Sequence, residues 1–136
     1  MEWALMPLKR YADFKGRSRR KEYWLFALLI FVVTLIITAL IFAMTGKPSP
    51  EATMTMSGPF ATLMFVFGLL VLAIFIPSLA VQVRRFHDQD KSGWFVLLNF
   101  IPYVGGLVVL VFMCLDGTPG PNRFGEDPKA GERGII

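Results

Sequence analysis

The chain is poor in the residues that most often carry chemistry or covalent cross-links. It contains one cysteine and one histidine in 136 residues, and only 18% of its residues are charged. A single cysteine excludes an internal disulfide framework. Metal sites and nucleophilic centres need several nitrogen, thiolate or carboxylate groups together, and neither His87 nor Cys114 has such company in the sequence. We therefore expect no enzymatic activity, no bound metal and no cofactor.

Apolar residues are abundant instead and make up 54% of the chain. A soluble domain is about 45–50% apolar and about 25% charged, so this departure favours a membrane protein. Three uncharged runs cover 24–44, 60–83 and 94–115, with lengths of 21, 24 and 22 residues. Each reaches the ~20 residues that a helix needs to cross a bilayer. The sequence predicts a single all-α domain over 1–136, an integral membrane helical bundle with three transmembrane helices.

The third run is interrupted by Asn99, Pro102 and the pair Gly105-Gly106. Proline removes a backbone donor, so a helix that continues through it kinks and frees a carbonyl that neighbouring groups must satisfy. The primary expectation is a kinked but continuous span. The alternative is a re-entrant hairpin that turns back near Pro102 and returns the tail, 116–136, to the side of the second loop.

The distribution of lysine and arginine predicts how the chain is threaded. Seven of the 14 precede the first run, one lies in the first loop, three lie in the second loop and three in the tail. Loops rich in positive charge stay in the cytoplasm, so the amino terminus and the second loop are predicted to be inside and the loop 45–59 outside. The side that holds the tail depends on whether the third run crosses.

The first residues combine aromatic and basic side chains. The residues Trp3, Met6, Leu8, Tyr11 and Phe14 fall mostly on one side of a short helix. This pattern predicts an interfacial helix within 2–14 that lies in the headgroup plane, with irregular structure as the alternative.

Three polar segments flank the apolar runs and hold nearly all of the ionisable groups. The first, 14–24, is basic and tied to a membrane helix, which favours a lipid surface over a nucleic acid. The Gly- and Pro-rich tail predicts a series of turns that is ordered as far as Pro128. Charged and polar residues in these segments are candidates for contact with anionic headgroups or for an ion-pair network. The candidates are Arg17, Arg19, Arg20, Glu22, Arg84, Arg85, His87, Asp88, Asn122, Arg123 and Asp127.

Four motifs in order give the chain a family resemblance. They are F-x-G-R-x-x-R-x-E-Y-W over 14–24, Arg84-Arg85-Phe86-His87-Asp88 followed by Ser92-Gly93-Trp94, Pro102 with Gly105, and G-x-x-G-x-N-R-F-G-x-D-P over 117–128. Together they resemble the small bacterial inner-membrane proteins of the domain of unknown function 805 (DUF805), from about Leu8 to Pro128. The resemblance implies a multi-pass protein of the inner membrane without a settled activity or cofactor.

The sequence favours a non-enzymatic membrane protein that assembles with itself or with another membrane protein. Three short helices bury little surface alone, and small residues such as Ala39, Ala43 and Gly68 allow helices to approach closely. A transporter or channel component is the alternative, because a helix broken at Pro102 is an element that transporters use. A lipid-modifying enzyme that uses His87 and Asp88 is a third and weaker hypothesis.

Overall fold

The computed structural model describes residues 2–45 and 58–133. Within these ranges the chain forms helices and turns, and its one β-type pairing is an isolated bridge between Asn122 and Gly125. The elements are α1 (Glu2–Lys9), α2 (Arg20–Thr45), α3 (Gly58–Asp88), a 3₁₀ helix (Gly93–Phe100), α4 (Gly105–Cys114) and α5 (Ala130–Arg133). The predicted all-α class is confirmed. The predicted outer loop, 45–59, lies outside the described residues except at its two ends.

Among the described helices, α2 and α3 alone are long and apolar enough to cross a membrane. Their candidate spans, Arg20–Met44 and Phe60–Asp88, contain 25 and 29 residues. At ~1.5 Å per residue each is longer than the ~30 Å hydrocarbon core. Only 6% of the apolar window of α2 and 17% of that of α3 are buried, whereas the core helix of a soluble protein is mostly buried. Their apolar side chains point outward instead, as they do in a helix surrounded by lipid.

α3 continues through Pro77 because the carbonyl that the proline frees has another partner. Proline has no N–H, so the carbonyl four residues earlier, that of Ala73, loses its helical donor. The Tyr11 hydroxyl donates to this oxygen at 2.6 Å. The phenol that follows α1 therefore replaces the missing donor and ties the amino-terminal segment to the middle of α3. Of the predicted segment 2–14, the part over Glu2–Lys9 is helical.

The third apolar run is not one helix but two short ones. The 3₁₀ helix has eight residues and α4 has ten. At ~2.0 and ~1.5 Å per residue these are about 16 and 15 Å long, roughly half of the hydrocarbon core. The predicted count of three membrane-spanning helices is therefore not confirmed, and the run 94–115 is not the continuous kinked span that was the primary expectation.

The physical reason for the break lies between the two short helices. Pro102 has no N–H to donate, and the residue before a proline is disfavoured in the helical conformation. Ile101 accordingly adopts an extended conformation with ψ of 115°, and Tyr103 has a left-handed φ of 66°. A Cβ at Gly105 would lie 1.7 Å from the Leu98 carbonyl oxygen, so only glycine allows this close approach. A count of apolar residues contains none of this backbone information.

The two short helices run antiparallel and pack on the carboxyl half of α3. The Phe95 and Phe112 rings are 6.2 Å apart, which brings the start of the 3₁₀ helix beside the end of α4. Phe86 of α3 contacts both rings, at 5.8 and 5.7 Å. The buried apolar core lies between this hairpin and α3 and consists of Val83, Phe86, Val96, Val109 and Met113. This core positions the polar site at the end of α3.

Candidate functional site

Five charged residues are buried where the start of α2 meets the end of α3. We call Arg17, Glu22, Arg84, Arg85 and Asp88 the arginine cluster, and none of them is more than 7% exposed. Charged side chains are almost never buried this fully unless they are paired, because the loss of hydration is costly. The cluster holds three positive and two negative groups, so attraction between its members offsets part of that cost.

Arg17 connects α3 to the carboxyl-terminal tail. Its Nε donates to Asp88 Oδ1 at 3.0 Å, and its Nη2 is also 3.0 Å from that oxygen. The remaining donors turn toward the tail: Nη1 donates to the Gly120 carbonyl at 2.7 Å, and Nη2 donates to the Thr118 carbonyl at 2.6 Å. A guanidinium has five N–H donors in a fixed planar fork, which suits it to bind a carboxylate and two carbonyls at once.

Arg85 approaches the same carboxylate from within α3. Its Nη1 donates to Asp88 Oδ2, so the two carboxylate oxygens of Asp88 bind two different arginines. Its Nη2 donates to the Leu115 carbonyl just after α4. Because helix termini leave carbonyls without intrahelical donors, Arg85 satisfies one of these groups while it fastens the hairpin to α3.

Arg84 connects α3 to the amino-terminal segment. It donates to Glu22 Oε1 and to Ser18 Oγ, both at 2.9 Å, and to the Asp13 carbonyl. In return the Ser18 backbone N–H donates to the Arg84 carbonyl at 3.2 Å. Neighbouring arginines on α3 thus hold opposite ends of the chain: Arg84 holds the segment before α2, and Arg85 holds the residues after α4.

The tail needs a glycine where it crosses the cluster. The Thr118 N–H donates to the Asp88 carbonyl at 2.8 Å, which brings the backbone of Gly117 against the Asp88 side chain. A Cβ at position 117 would lie 2.0 Å from Asp88 Oδ2. No larger residue fits here unless the carboxylate moves away from its arginines.

The single histidine also binds the tail. The His87 and Phe124 rings are stacked, with centroids 3.9 Å apart and planes 4° apart. His87 Nδ1 lies 3.2 Å from the Gly16 carbonyl, and the His87 carbonyl accepts from Asn122 Nδ2 at 2.9 Å. His87 therefore contacts the two segments that flank the cluster.

The part of the chain that the structure describes contains no group of three or more His, Cys, Asp or Glu side chains placed to hold a metal.

The other predicted site residues lie at the edge of the cluster. Arg19 donates to Glu132 Oε1 and to the Pro128 carbonyl, both at 2.7 Å, and Arg123 pairs with Asp90 at 3.2 Å. Asp127 holds the tail turn, since its Oδ2 accepts from the Gly120 N–H at 3.0 Å. These contacts order the tail beyond Pro128, the limit that the sequence predicted.

Arg20 and Asp116 close the edge of the cluster near α4. Arg20 donates to the Cys114 carbonyl at 3.0 Å and pairs with Asp116 at 3.1 Å. The Lys129 ammonium bonds to the same carboxylate at 2.7 Å. The hydrogen bond from Lys129, with the nearby positive charges of Lys129 and Arg20, holds the pKa of Asp116 below its ordinary value. Asp116 is exposed, so water screens this pairing.

The sequence identified the carboxylates that accept from the arginines but missed the uncharged groups that do so. Ser18 is uncharged, and the carbonyls of Leu115, Thr118 and Gly120 belong to the backbone, which carries no residue-specific signal. The one usable signal was the density of glycine between 116 and 125, because a backbone that approaches a side chain closely needs glycine.

Comparison with known proteins places this arrangement in a family. The family model described as "Protein of unknown function (DUF805)" matches residues 11–126, a range that contains the whole arginine cluster. The chain belongs to the DUF805 family. The family resemblance that the four motifs indicated is thereby confirmed.

Relatives of this DUF805 chain match it over nearly their whole length. Inner membrane protein YhaH of Escherichia coli (strain K12) is 45% identical over 129 residues, which is 95% of this chain and 98% of YhaH. Inner membrane protein YhaI of the same strain is 42% identical over 131 residues, 96% of this chain and 98% of YhaI. Uncharacterized protein YiiR is 27% identical over 140 residues, with 85% of each chain covered. No solved structure matches the chain.

Proposed function

We propose that this chain is a non-enzymatic protein of the bacterial inner membrane that works by assembling with other copies of itself or with other membrane proteins. One observation carries the proposal: the polar side chains at the arginine cluster bind one another. Asp88 binds two arginines, and the His87 ring is stacked on Phe124. Most of the surface of α2, in contrast, is apolar and uncovered. A molecule built in this way offers surfaces for contact, while its ionisable groups hold its own segments together.

Two observations support the location in the inner membrane. The relatives YhaH and YhaI are named inner membrane proteins and match at 45% and 42% identity along almost the entire chain. In addition, α2 and α3 have the length and apolar composition of membrane-spanning helices. We place the chain in the same membrane as those relatives, with α2 and α3 as its two spans.

The contacts of the tail support a re-entrant hairpin in place of a third span. Arg17 and Arg19, which precede α2, donate to tail carbonyls at Gly120 and Pro128. The two ends of the described chain therefore lie on the same side of the spans. Since positively charged segments stay in the cytoplasm, we assign the arginine cluster and the tail to that side. The 3₁₀ helix and α4 then enter the bilayer from the cytoplasm and return to it.

We propose that basic residues outside the arginine cluster bind anionic lipid. Lys9 at the end of α1, Lys15 between α1 and α2, and Lys21 in the first turn of α2 are all exposed. Each lysine near an anionic surface contributes about 1 kcal/mol, and the cluster arginines do not take part because they are buried. A variant with all three lysines changed to glutamine should retain several-fold less phosphatidylglycerol in native mass spectrometry. Unchanged retention would contradict this assignment.

One observation favours the alternative, a transporter or channel component. The apolar run 94–115 is broken at 101–104, and transporters place their binding sites at interrupted helices of this kind. Ion or solute flux into proteoliposomes tests it directly. Flux that depends on Asn99 would replace the assembly proposal, whereas vesicles as tight as protein-free controls would leave assembly as the better account.

The test of the proposed function is purification of the full chain from its own membrane in a mild detergent. Native mass spectrometry should give the mass of at least two copies, or of one copy with another membrane protein. A monomer that co-purifies with no protein partner would overturn the proposal. Cross-linking in intact membranes before extraction guards against complexes that the detergent breaks.

A further inference from the structure

Two amide side chains outside the arginine cluster are hydrogen-bonded to each other. Gln82 is on α3, and Asn99 is near the end of the 3₁₀ helix. Asn99 Nδ2 donates to Gln82 Oε1 at 2.7 Å and to the Val96 carbonyl at 2.9 Å. These bonds fix both amides, yet Asn99 remains exposed. The pair is therefore a rigid polar patch within an apolar surface.

On the proposed topology the patch lies below the cytoplasmic ends of the two helices that carry it. Gln82 is six residues before the end of α3, which is about 9 Å along the helix axis. Asn99 is six residues after the start of the 3₁₀ helix, about 12 Å at that rise. On the proposed topology both helix ends are at the cytoplasmic surface. At this depth lipid tails offer amides no hydrogen bonds, so a polar group there seeks protein partners.

Each amide has a group left over. Across the described ranges 2–45 and 58–133, Gln82 Nε2 donates to no acceptor and Asn99 Oδ1 accepts from no donor. A free donor therefore lies next to a free acceptor. Such a pair is self-complementary: a copy rotated by 180° presents an acceptor to the donor and a donor to the acceptor. This is the relation that a two-fold interface requires.

A groove beside the amides has room for side chains of that copy. It lies between α2 and α3, measures about 380 Å³, and is lined in part by Phe31, Thr34, Ser78 and Gln82. Its walls are mostly apolar, and Gln82 is one of its polar lining residues. Gln82 belongs both to the groove and to the amide pair. One face therefore offers apolar packing space and groups that can form hydrogen bonds.

We propose that a second copy of this chain docks on the Gln82–Asn99 face. In the dimer, Gln82 Nε2 of each copy donates to Asn99 Oδ1 of the other, and the two grooves take up apolar side chains across the two-fold axis. A phospholipid chain fills a groove but forms no hydrogen bond with either amide. An unrelated protein lacks the two-fold symmetry that places an acceptor opposite Gln82 Nε2 and a donor opposite Asn99 Oδ1. The inference deepens the proposed function and rests on it.

Disulfide cross-linking in native membranes tests which face is used. Ser78 lines the groove one turn before Gln82, so Ser78→Cys in a Cys114→Ser background should form a cross-linked dimer on oxidation. Leu69 is the matched control, because it lies nine residues, or about 2.5 turns, from Ser78 and so faces the opposite side of α3. Leu69→Cys should not cross-link. Dimers from Leu69→Cys and not from Ser78→Cys would overturn the inference and leave the assembly proposal standing.

A second variant tests the amides themselves. Gln82→Met with Asn99→Leu keeps side-chain size and removes the polar groups, and it should raise the dimer dissociation constant about tenfold in bilayers. Energy transfer between labelled copies measures that constant. An unchanged constant would overturn the inference. Purification with a different membrane protein and without self-association would overturn it too, whereas a monomer with no partner would overturn both this inference and the proposed function.

Discussion

Loss of the Arg17 side chain should release the tail while leaving the two long helices folded. Arg17→Met keeps the length of the side chain but removes the donors to Asp88, Thr118 and Gly120. Asp88 keeps its bond to Arg85, so no buried charge is stranded without a partner. The carbonyls of Thr118 and Gly120 then lose the arginine donor that they have while the tail is docked.

The expected magnitude follows from the hydrogen bonds that Arg17 gives to the tail. A hydrogen bond to a charged group contributes about 1.5–3 kcal/mol, and the Arg17 side chain, 2% exposed, donates to two tail carbonyls, so their loss costs about 3 kcal/mol or more. At ~1.4 kcal/mol per tenfold change, even the lower bound raises the population of the undocked tail by more than about 100-fold. The relevant equilibrium is local opening of the tail, because α2 and α3 have their own internal hydrogen bonds.

Limited proteolysis of the protein in detergent measures this opening. Trypsin cleavage after Lys129 should accelerate by about the same factor, since cleavage follows the open population when reclosing is fast. Arg20→Met is the matched control. Its side chain is 42% exposed and pairs with the exposed Asp116, so it should accelerate cleavage less than about fivefold. Helix content by circular dichroism should be unchanged in both. Cleavage of Arg17→Met no faster than that of Arg20→Met would show that Arg17 does not hold the tail in place.

Two further predictions concern the contacts of the tail. Gly117→Ala should open the tail to protease, because its Cβ would lie 2.0 Å from Asp88 Oδ2, whereas Gly106→Ala, with nothing within 4 Å, should behave as the unchanged protein does. Because Lys129 lowers the pKa of Asp116, the contribution of that pair is complete above the ordinary pKa and is lost as the pH falls through the lowered value. The rate of pepsin cleavage of the tail, divided by that of a Lys129→Gln variant at the same pH, should therefore increase below about pH 4; a ratio that does not vary with pH would contradict the pairing.

The sequence predicted the two long helices because their signal is local. The runs 24–44 and 60–83 are long and apolar, and α2 and α3 contain them. The third run had the same composition but not the same backbone. Its break depends on Pro102 and on the contact between Gly105 and the Leu98 carbonyl, which a count of apolar residues does not register.

The sequence identified the residues of the arginine cluster but not which groups each of them binds. Charge and position identified Arg17, Arg84 and Asp88 as candidates, yet Arg17 binds a carboxylate 71 positions away and carbonyls more than 100 positions away. Nothing in the local pattern selects such partners, because backbone carbonyls occur at every residue. The same limit hid the bond from Tyr11 to Ala73, which becomes intelligible only once Pro77 is seen to free that carbonyl.

We propose that the tail returns to the same side of the membrane as the amino terminus, and labelling of single cysteines tests this directly. Ala130 is exposed at the start of α5, so Ala130→Cys in a Cys114→Ser background reports the side of the tail through labelling with an impermeant maleimide. Ser49→Cys, in the loop predicted to be outside, serves as the positive control in intact cells. We expect Ser49→Cys to be labelled in intact cells and Ala130→Cys to be labelled only after the cytoplasmic side is opened. Labelling of Ala130→Cys from outside in intact cells would contradict it.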